Sequence, residues 1–505
     1  MKVFVSLITG ISILLLSEMS LASNATSNQL MVSNASHTKD LKDRREKVFD
    51  LMENDSILVL LPAERKNRSN DVDWAYRQTN DLYYLTGSTY PDTYLVMIKE
   101  GRKAYEYFFH KEGNPQYVQW MGILPSAEQV KLDTGIENVH SHKKFELFMN
   151  TLLNGYHFNP GERNRLQTPP KHAELFKKLI QGEVSMWLSL GQRRNINTES
   201  KTPESTFANK ITTQFPELKI QNMSSQLTNL REVKSDYELA VMQKAIDITV
   251  EAQKKAMQRV QTAQWEYQVQ ALIDYTFRDQ GACCPSFPSI AASGSNTTIL
   301  HYEHPIEKIA KDKLFLTDIG AEYEYYAADV TRTYPADGTF SDSQKDIYSA
   351  VLKAQKIGID KVTKGALIKD IEAAITDSIG DDLLALGLID KKDKKQIYTY
   401  YAHGFGHSLG MDVHDVFKYY QKLKPNMVIT VEPGIYVRKS KVIASPFYKA
   451  LNGEKKDRID AALEKYDGIG VRIEDDILVT KSKPKVLSEK APREIVEIEK
   501  WMAKE

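Results

Sequence analysis

The 505-residue chain carries 67 Lys and Arg against 67 Asp and Glu, so it has no formal net charge at pH 7. That balance, with no basic block interleaved with aromatic residues, argues against nucleic acid or an anionic membrane surface as a partner. The length exceeds what one ordinary core supports and predicts two or three domains.

The first segment, MKVFVSLITGISILLLSEMSLA, has one Lys, an apolar run from Val3 to Leu16 and the small-residue pattern Ser20-Leu21-Ala22 ahead of Ser23. This is the order of a secretory signal peptide over residues 1–22, and the run falls short of the roughly 20 apolar residues that a spanning helix needs. A membrane anchor is the competing reading. Export to a periplasmic or extracellular location is expected, with no stable membrane insertion after processing. Residues 23–39, rich in Ser, Asn and Thr, read as a disordered leader.

Asp40 opens a predicted helix, DLKDRREKVFDLME, and strand-like SILVLL follows from Ser56. Strand and helix patterns continue to about Leu218 and predict an α/β domain over 40–225. Ser235 and Glu238 then fit a capping box, with Leu239, Met242, Ala245, Ile246 and Thr249 at helical spacing behind it. A second domain, 226–505, is placed to begin just before that helix. The two cysteines, Cys283 and Cys284, are adjacent. A disulfide between neighbours is strained and the pair has no CxxC spacing, which argues against a disulfide framework, a thiolate metal site or a Cys nucleophile.

FLTDIGAEYEYYAADVTRTYP, from Phe315, sets Asp318 and Asp329 among β-branched and aromatic residues that suit strands. A hairpin centred between Tyr323 and Glu324 makes the two aspartates direct cross-strand neighbours, about 4.5–5.5 Å apart at Cβ. Buried like charges so close call for something positive between them, most economically a divalent cation. A shifted register that turns both to water is the alternative. Further on, HGFGHSLGMDVHD from His403 is too rich in Gly for a stable helix and reads as a loop presenting imidazoles. MVITVEPGIYV alternates from Met427 and breaks at Pro433-Gly434. GVRIEDDILVT, from Gly470, reads as a strand with Arg472, Glu474 and Asp476 on one face.

Asp318, Asp329, His407, Glu432 and Glu474 together make a hard, oxygen-rich ligand set suited to Mn²⁺, Co²⁺ or Zn²⁺. With bridging carboxylates, five such side chains suffice for two ions that activate one water. Taken singly, each has an ordinary explanation: Glu432 as a solvated strand-end acid, Glu474 as part of a charged edge, His407 as a loop histidine.

LHY (300–302), DIGAEY (318–323), ADVTRT (328–333), HGFGHSLGMDVHD (403–415), VEPGIY (431–436) and GIGVRIEDD (468–476) occur in that order. They resemble the signature blocks of the pita-bread metallopeptidases of family M24, in the proline-peptidase branch. RSNDVDWAYRQTNDLYYLTG, from Arg68 to Gly87, is similar to the block that marks the N-terminal domain of Xaa-Pro aminopeptidases. The resemblance runs from about residue 40 to the end of the chain. It implies an α+β protein, an N-terminal α/β domain of creatinase/prolidase type followed by a pita-bread catalytic domain.

The same resemblance implies Asp318 as ligand to one metal, Asp329 and Glu474 as bridging carboxylates, and His407 and Glu432 as ligands to the second ion. Mn²⁺ is the first expectation, with Co²⁺ or Zn²⁺ as alternatives. It places His301, His403 and His414 in the substrate pocket, gives Glu432 the proton of the attacking water, and sets Arg472 beside the metals. The implied activity is hydrolysis of the N-terminal Xaa-Pro bond of peptides with proline second, in a homo-oligomer. A prolidase acting on dipeptides and a non-catalytic peptide-binding protein are the competing readings. The segment 437–467 is longer than the hairpin expected between Glu432 and Glu474, and reads as a surface excursion near the mouth of the site.

Overall fold

The structure, a computed structural model, describes residues 35–159, 171–191 and 202–503. The expected signal peptide and residues 23–34 of the leader lie outside them. The chain forms two compact units that meet in sequence between Thr228 and Asn229.

In the first unit a central strand, Ser56–Leu60, is buried at every position. It pairs antiparallel with Tyr94–Glu100 and parallel with Ser185–Leu188. An unbroken apolar run is what a strand covered on both faces requires. Strands Lys103–His110 and Val139–Ser141 extend the sheet on one side and Lys219–Asn222 on the other, giving a six-stranded mixed sheet. Residues 35–51 form a helix, so 35–39 are not part of a disordered leader as expected. The Thr38 hydroxyl donates to the carbonyls of Leu132 and Asp133, and the His37 ring packs against Tyr83. Such tertiary contacts outweigh the weak helix preference of Ser, Asn and Thr. Among the described residues no helix is long and apolar enough to cross a membrane.

The second unit opens with helix Asp236–Arg259, whose Ser235–Glu238 capping box satisfies its first backbone donors. Buried side chains of this helix pin a β-hairpin from behind. Gln253 Nε2 donates to the carbonyls of Thr317 and Val330, and Thr249 Oγ1 accepts from the Ala321 amide. The hairpin pairs Leu314–Ile319 with Val330–Pro335, and Asp318 lies opposite Thr331. The expected Asp318–Asp329 pairing is therefore corrected: Asp329 is a diagonal neighbour. The turn is centred one residue later, between Glu324 and Tyr325, which take φ of 46° and 67°. Two consecutive positive φ values match the right-handed twist of a tight hairpin, but neither residue is the Gly or Asn that usually announces one. Gly320 is required by a close crossing, because a Cβ there would stand 1.8 Å from the Ala328 carbonyl oxygen.

The expected strand from Gly470 is two strands. Gly470–Arg472 pairs with Gly434–Tyr436, and Asp475–Leu478 pairs with Val428–Val431. Changing sheets breaks the two-residue alternation at Ile473-Glu474, where the Glu474 amide donates instead to the Thr331 carbonyl. Residues 437–467 fold as helices Lys439–Ala444, Pro446–Lys449 and Gly453–Tyr466. Their base is tied by Val437 N–H to Ile469 and Gly468 N–H to Val437. They flank a groove shared with residues 390–399 rather than the cleft described next.

Candidate metal centre

The breaks and crossings above converge on a cleft of about 380 Å³ in the second unit. All nine candidate residues line it: Asp318, Asp329, His407, Glu432 and Glu474, with His301, His403, His414 and Arg472 around them, Glu432 counting in both roles. Asp318 arrives on the first hairpin strand and Asp329 just before the second. His407 sits on the irregular 403–415 loop, which needs Gly406 because a Cβ there would lie 2.1 Å from the Thr430 carbonyl oxygen. Glu432 ends one strand, and Glu474 occupies the break where the chain changes sheets.

Ligand atoms of Asp329, His407 and Glu474 all lie within 4.8 Å of one another. His407 Nε2 stands 3.4 Å from Asp329 Oδ2 and 3.5 Å from Glu432 Oε1. His407 Nδ1 is 3.2 Å from the Ser408 carbonyl, which can only accept, so the proton sits on Nδ1 and the Nε2 lone pair faces the carboxylates. Asp318 Oδ1, Asp329 Oδ1 and Glu474 Oε1 are buried without a hydrogen-bond partner. Burial, then the neighbouring carboxylates, pushes Asp329 and Glu474 well above the usual carboxylate range, and burial raises Glu432 to about 8. Burial likewise lowers His407 and His403 to about 4, leaving both imidazoles neutral.

Orphaned carboxylate oxygens and an aimed imidazole lone pair are costly in an apolar interior and are the donors a hard divalent cation takes. The residues present therefore fit such ions. Some positive charge is built in. Arg472 Nη2 donates to Asp318 Oδ2 at 2.5 Å, its Nε to Thr331 Oγ1 and its Nη1 to the Tyr436 hydroxyl.

The sequence pattern of Metallopeptidase family M24 matches residues 240–481, and that of the Aminopeptidase P N-terminal domain matches residues 41–159. An Xaa-Pro aminopeptidase of Haemophilus influenzae is 31% identical over 473 residues, covering 92% of this chain and 97% of that protein. The chain belongs to metallopeptidase family M24, in its aminopeptidase P branch. Xaa-Pro aminopeptidase 3 of Dictyostelium discoideum is 30% identical across 92% of the chain and 83% of its own length. The fold agrees with solved members. Aminopeptidase P from E. coli with the inhibitor Pro-Leu superposes with a TM-score of 0.76 at 26% identity, covering 92% of this chain and 98% of that one. A Pseudomonas aeruginosa aminopeptidase gives 0.75 at 29% identity, with the same coverage. Divalent metal ions are implied by membership of this family.

Several residues that shape this M24 cleft escaped sequence reasoning. The His403 Nδ1–H donates to the Gly404 carbonyl, so its Nε2 accepts from the Tyr436 hydroxyl at 2.8 Å, while Tyr436 accepts from Arg472. Tyr436 lies beyond the Pro433-Gly434 break, in a strand of another sheet, so the two-residue period that ends at Glu432 gives no signal for it. Glu266, fully buried at the start of helix Glu266–Asp279, anchors the loop that carries His301. It accepts from the Ser293 and Glu307 amides, Asn296 Nδ2 and the Tyr302 hydroxyl. Nothing in its sequence context separates it from a solvated helix-start acid.

Proposed function

We propose that this chain is an Xaa-Pro aminopeptidase that uses two divalent ions, Mn²⁺ by first expectation, to hydrolyse the bond before a proline in second position. The observation that carries the reading is the convergence of buried, partnerless carboxylate oxygens on the aimed Nε2 of His407. Asp318, Asp329, His407, Glu432 and Glu474 would hold the ions. When bound, the ions supply Lewis-acid polarisation of the scissile carbonyl and lower the pKa of a water nucleophile. Glu432 accepts the proton of that water and passes it to the proline nitrogen, which has no hydrogen of its own and leaves only when protonated. His301 and His414, exposed at the mouth, hydrogen-bond the substrate carbonyl. His403 is held neutral, with its Nε2 occupied by Tyr436, so it orients the wall rather than donating a proton.

Substrate length follows from the lining charges. Arg472 is the one Lys or Arg among the described residues lining the cleft, and Asp318, Thr331 and Tyr436 already take its donors. The carboxylate of a free Xaa-Pro dipeptide finds no uncommitted cation there, whereas in a tripeptide that carboxyl is an uncharged amide. Comparing kcat/KM of a matched Xaa-Pro dipeptide and Xaa-Pro-Yaa tripeptide on the Mn²⁺-loaded enzyme tests this. A tripeptide preference is expected, a dipeptide preference makes the protein a prolidase, and no turnover of either with metals bound rejects catalysis.

Two further readings rest on sequence and surface. Export is supported by the apolar run and the Ser20-Leu21-Ala22 pattern, and sequencing the mature protein is expected to start at Ser23. Homo-oligomerisation is supported by Trp120, Met121 and Ile123 in the first unit, 76%, 59% and 85% exposed. Light scattering on the purified protein tests it, with a monomer as the contrary result.

A further inference from the structure

Away from the cleft, two thiols meet a carboxylate. Cys284 lies in the short strand Cys284–Pro285, paired antiparallel with Ala321–Tyr323, so that Glu322 stands directly opposite it. The Cys283 amide donates to the Glu322 carbonyl and fixes that register. Cys283 Sγ is then 2.7 Å from Cys284 Sγ and 3.7 Å from Glu322 Oε1, and the ligand atoms of all three lie within 4.8 Å of one another. Cys283 is exposed, Cys284 half-buried, and Glu322 only 7% exposed. None of the three lines the catalytic cleft. The adjacent pair lacks the spacing of a metal motif in sequence, but strand pairing supplies a third ligand 39 residues away.

We propose that Cys283, Cys284 and Glu322 form a binding site for one thiophilic divalent cation of the Zn²⁺ or Cd²⁺ class, separate from the oxygen-rich centre. Binding exchanges two S–H bonds for two metal–sulfur bonds and releases two protons to solvent, with no change of oxidation state. The Glu322 carboxylate is the third ligand, and the exposed Cys283 side leaves the remaining position to water. Because both thiols must lose a proton to ligate, affinity rises with pH. The two sites divide metals by softness: carboxylates and one imidazole favour Mn²⁺, while a thiolate pair favours Cd²⁺ and Zn²⁺. An ion here cross-links the two strands that continue into the cleft wall, through Phe287 on one side and back to Asp318 on the other.

The test is titration of the Mn²⁺-loaded full chain with Cd²⁺, following the ultraviolet thiolate-to-cadmium charge-transfer band and the protons released. The catalytic centre contains no sulfur, so Cd²⁺ exchanging there is silent in that band. We expect saturation at one equivalent, loss of the band in Cys283→Ser and in Cys284→Ser, and affinity about 10-fold or more weaker in Glu322→Gln. Unchanged circular dichroism of Cys283→Ser, whose side chain is exposed, separates loss of the site from loss of the fold. Absence of the band in the parent protein, its survival in Cys283→Ser, or an affinity indifferent to Glu322→Gln overturns the assignment.

Discussion

Glu474 and Asp475 are neighbours in sequence and both are buried, yet they belong to opposite electrostatic worlds. Asp475 Oδ1 accepts from Arg332 Nη2 and the Ser488 hydroxyl, and its Oδ2 from Arg493 and Gln355. The Arg332 and Arg493 guanidiniums hold its carboxyl below the usual range despite burial. Glu474 has one oxygen satisfied by Thr331 and the other by nothing, among three more carboxylates. A carboxylate paired internally is structure; one left to its own kind is a request for an outside cation. The same Arg332 that neutralises Asp475 also donates to the Glu474 carbonyl, so the satisfied region holds the unsatisfied one in place.

Substitutions on the two sides should therefore have opposite signs on the metal-free fold. Asp329→Asn is expected to abolish peptide hydrolysis by more than about 10³-fold, as for any member of a group that acts as a unit. It should also lower bound metal by elemental analysis while raising the thermal midpoint of the chelated protein, because one repelling carboxylate is gone. Arg332→Met should do the reverse to stability, costing about 3 kcal/mol by denaturant titration, because buried Asp475 loses one of its two guanidinium partners and keeps only Arg493. Pairing it with Asp475→Asn should recover much of that loss. A fall in stability for Asp329→Asn in the chelated protein would erase the contrast.

The titration behaviour sharpens the same contrast. Glu432 has its pKa raised by burial from the ordinary 4.5 to about 8, so in metal-free protein it favours the folded state fully below the unfolded value and loses that contribution as pH rises through about 8. The thermal midpoint of chelated protein should accordingly drop between pH 5 and 8, and resaturation with Mn²⁺ should flatten the curve. Asp475, depressed, works the other way and contributes stability that is lost only as pH falls below the ordinary carboxylate range. Arg472→Lys should be milder. It keeps the charge but loses the fork that reaches Asp318, Thr331 and Tyr436 together, and kcat is expected to fall about 10- to 100-fold with metal content unchanged. Smallest of all, Tyr302→Phe removes one of four donors to Glu266, which should raise KM a few-fold through the His301 loop and leave kcat nearly intact.

Much of this was legible before any fold was known, because charged residues inside apolar strands are conspicuous. Asp318 and Asp329 stood out for that reason, and ordered motifs completed the set. The register did not, since Glu324 and Tyr325 adopt left-handed backbone without the Gly or Asn that advertises it. The role of Asp475 was not legible, because sequence cannot reveal that Arg332 and Arg493 fold onto it. Glu266 stayed invisible for a related reason: its four donors come from a loop that only tertiary structure brings to it.

Helices Lys439–Ala444, Pro446–Lys449 and Gly453–Tyr466 leave the sheet and return through one narrow neck, at Val437 and Gly468–Ile469. Immediately inside that neck, Tyr436 pairs with Gly470 and Gly434 with Arg472, so the register beneath it is already fixed. The geometry makes the excursion a replaceable cartridge. Closing a longer loop across the same neck costs only about 0.6 kcal/mol per doubling of its length. Grafting, trimming or tagging between Arg438 and Asp467 thus offers a way to alter the surface of this peptidase while the spacing of Glu432 and Glu474 stays as it is.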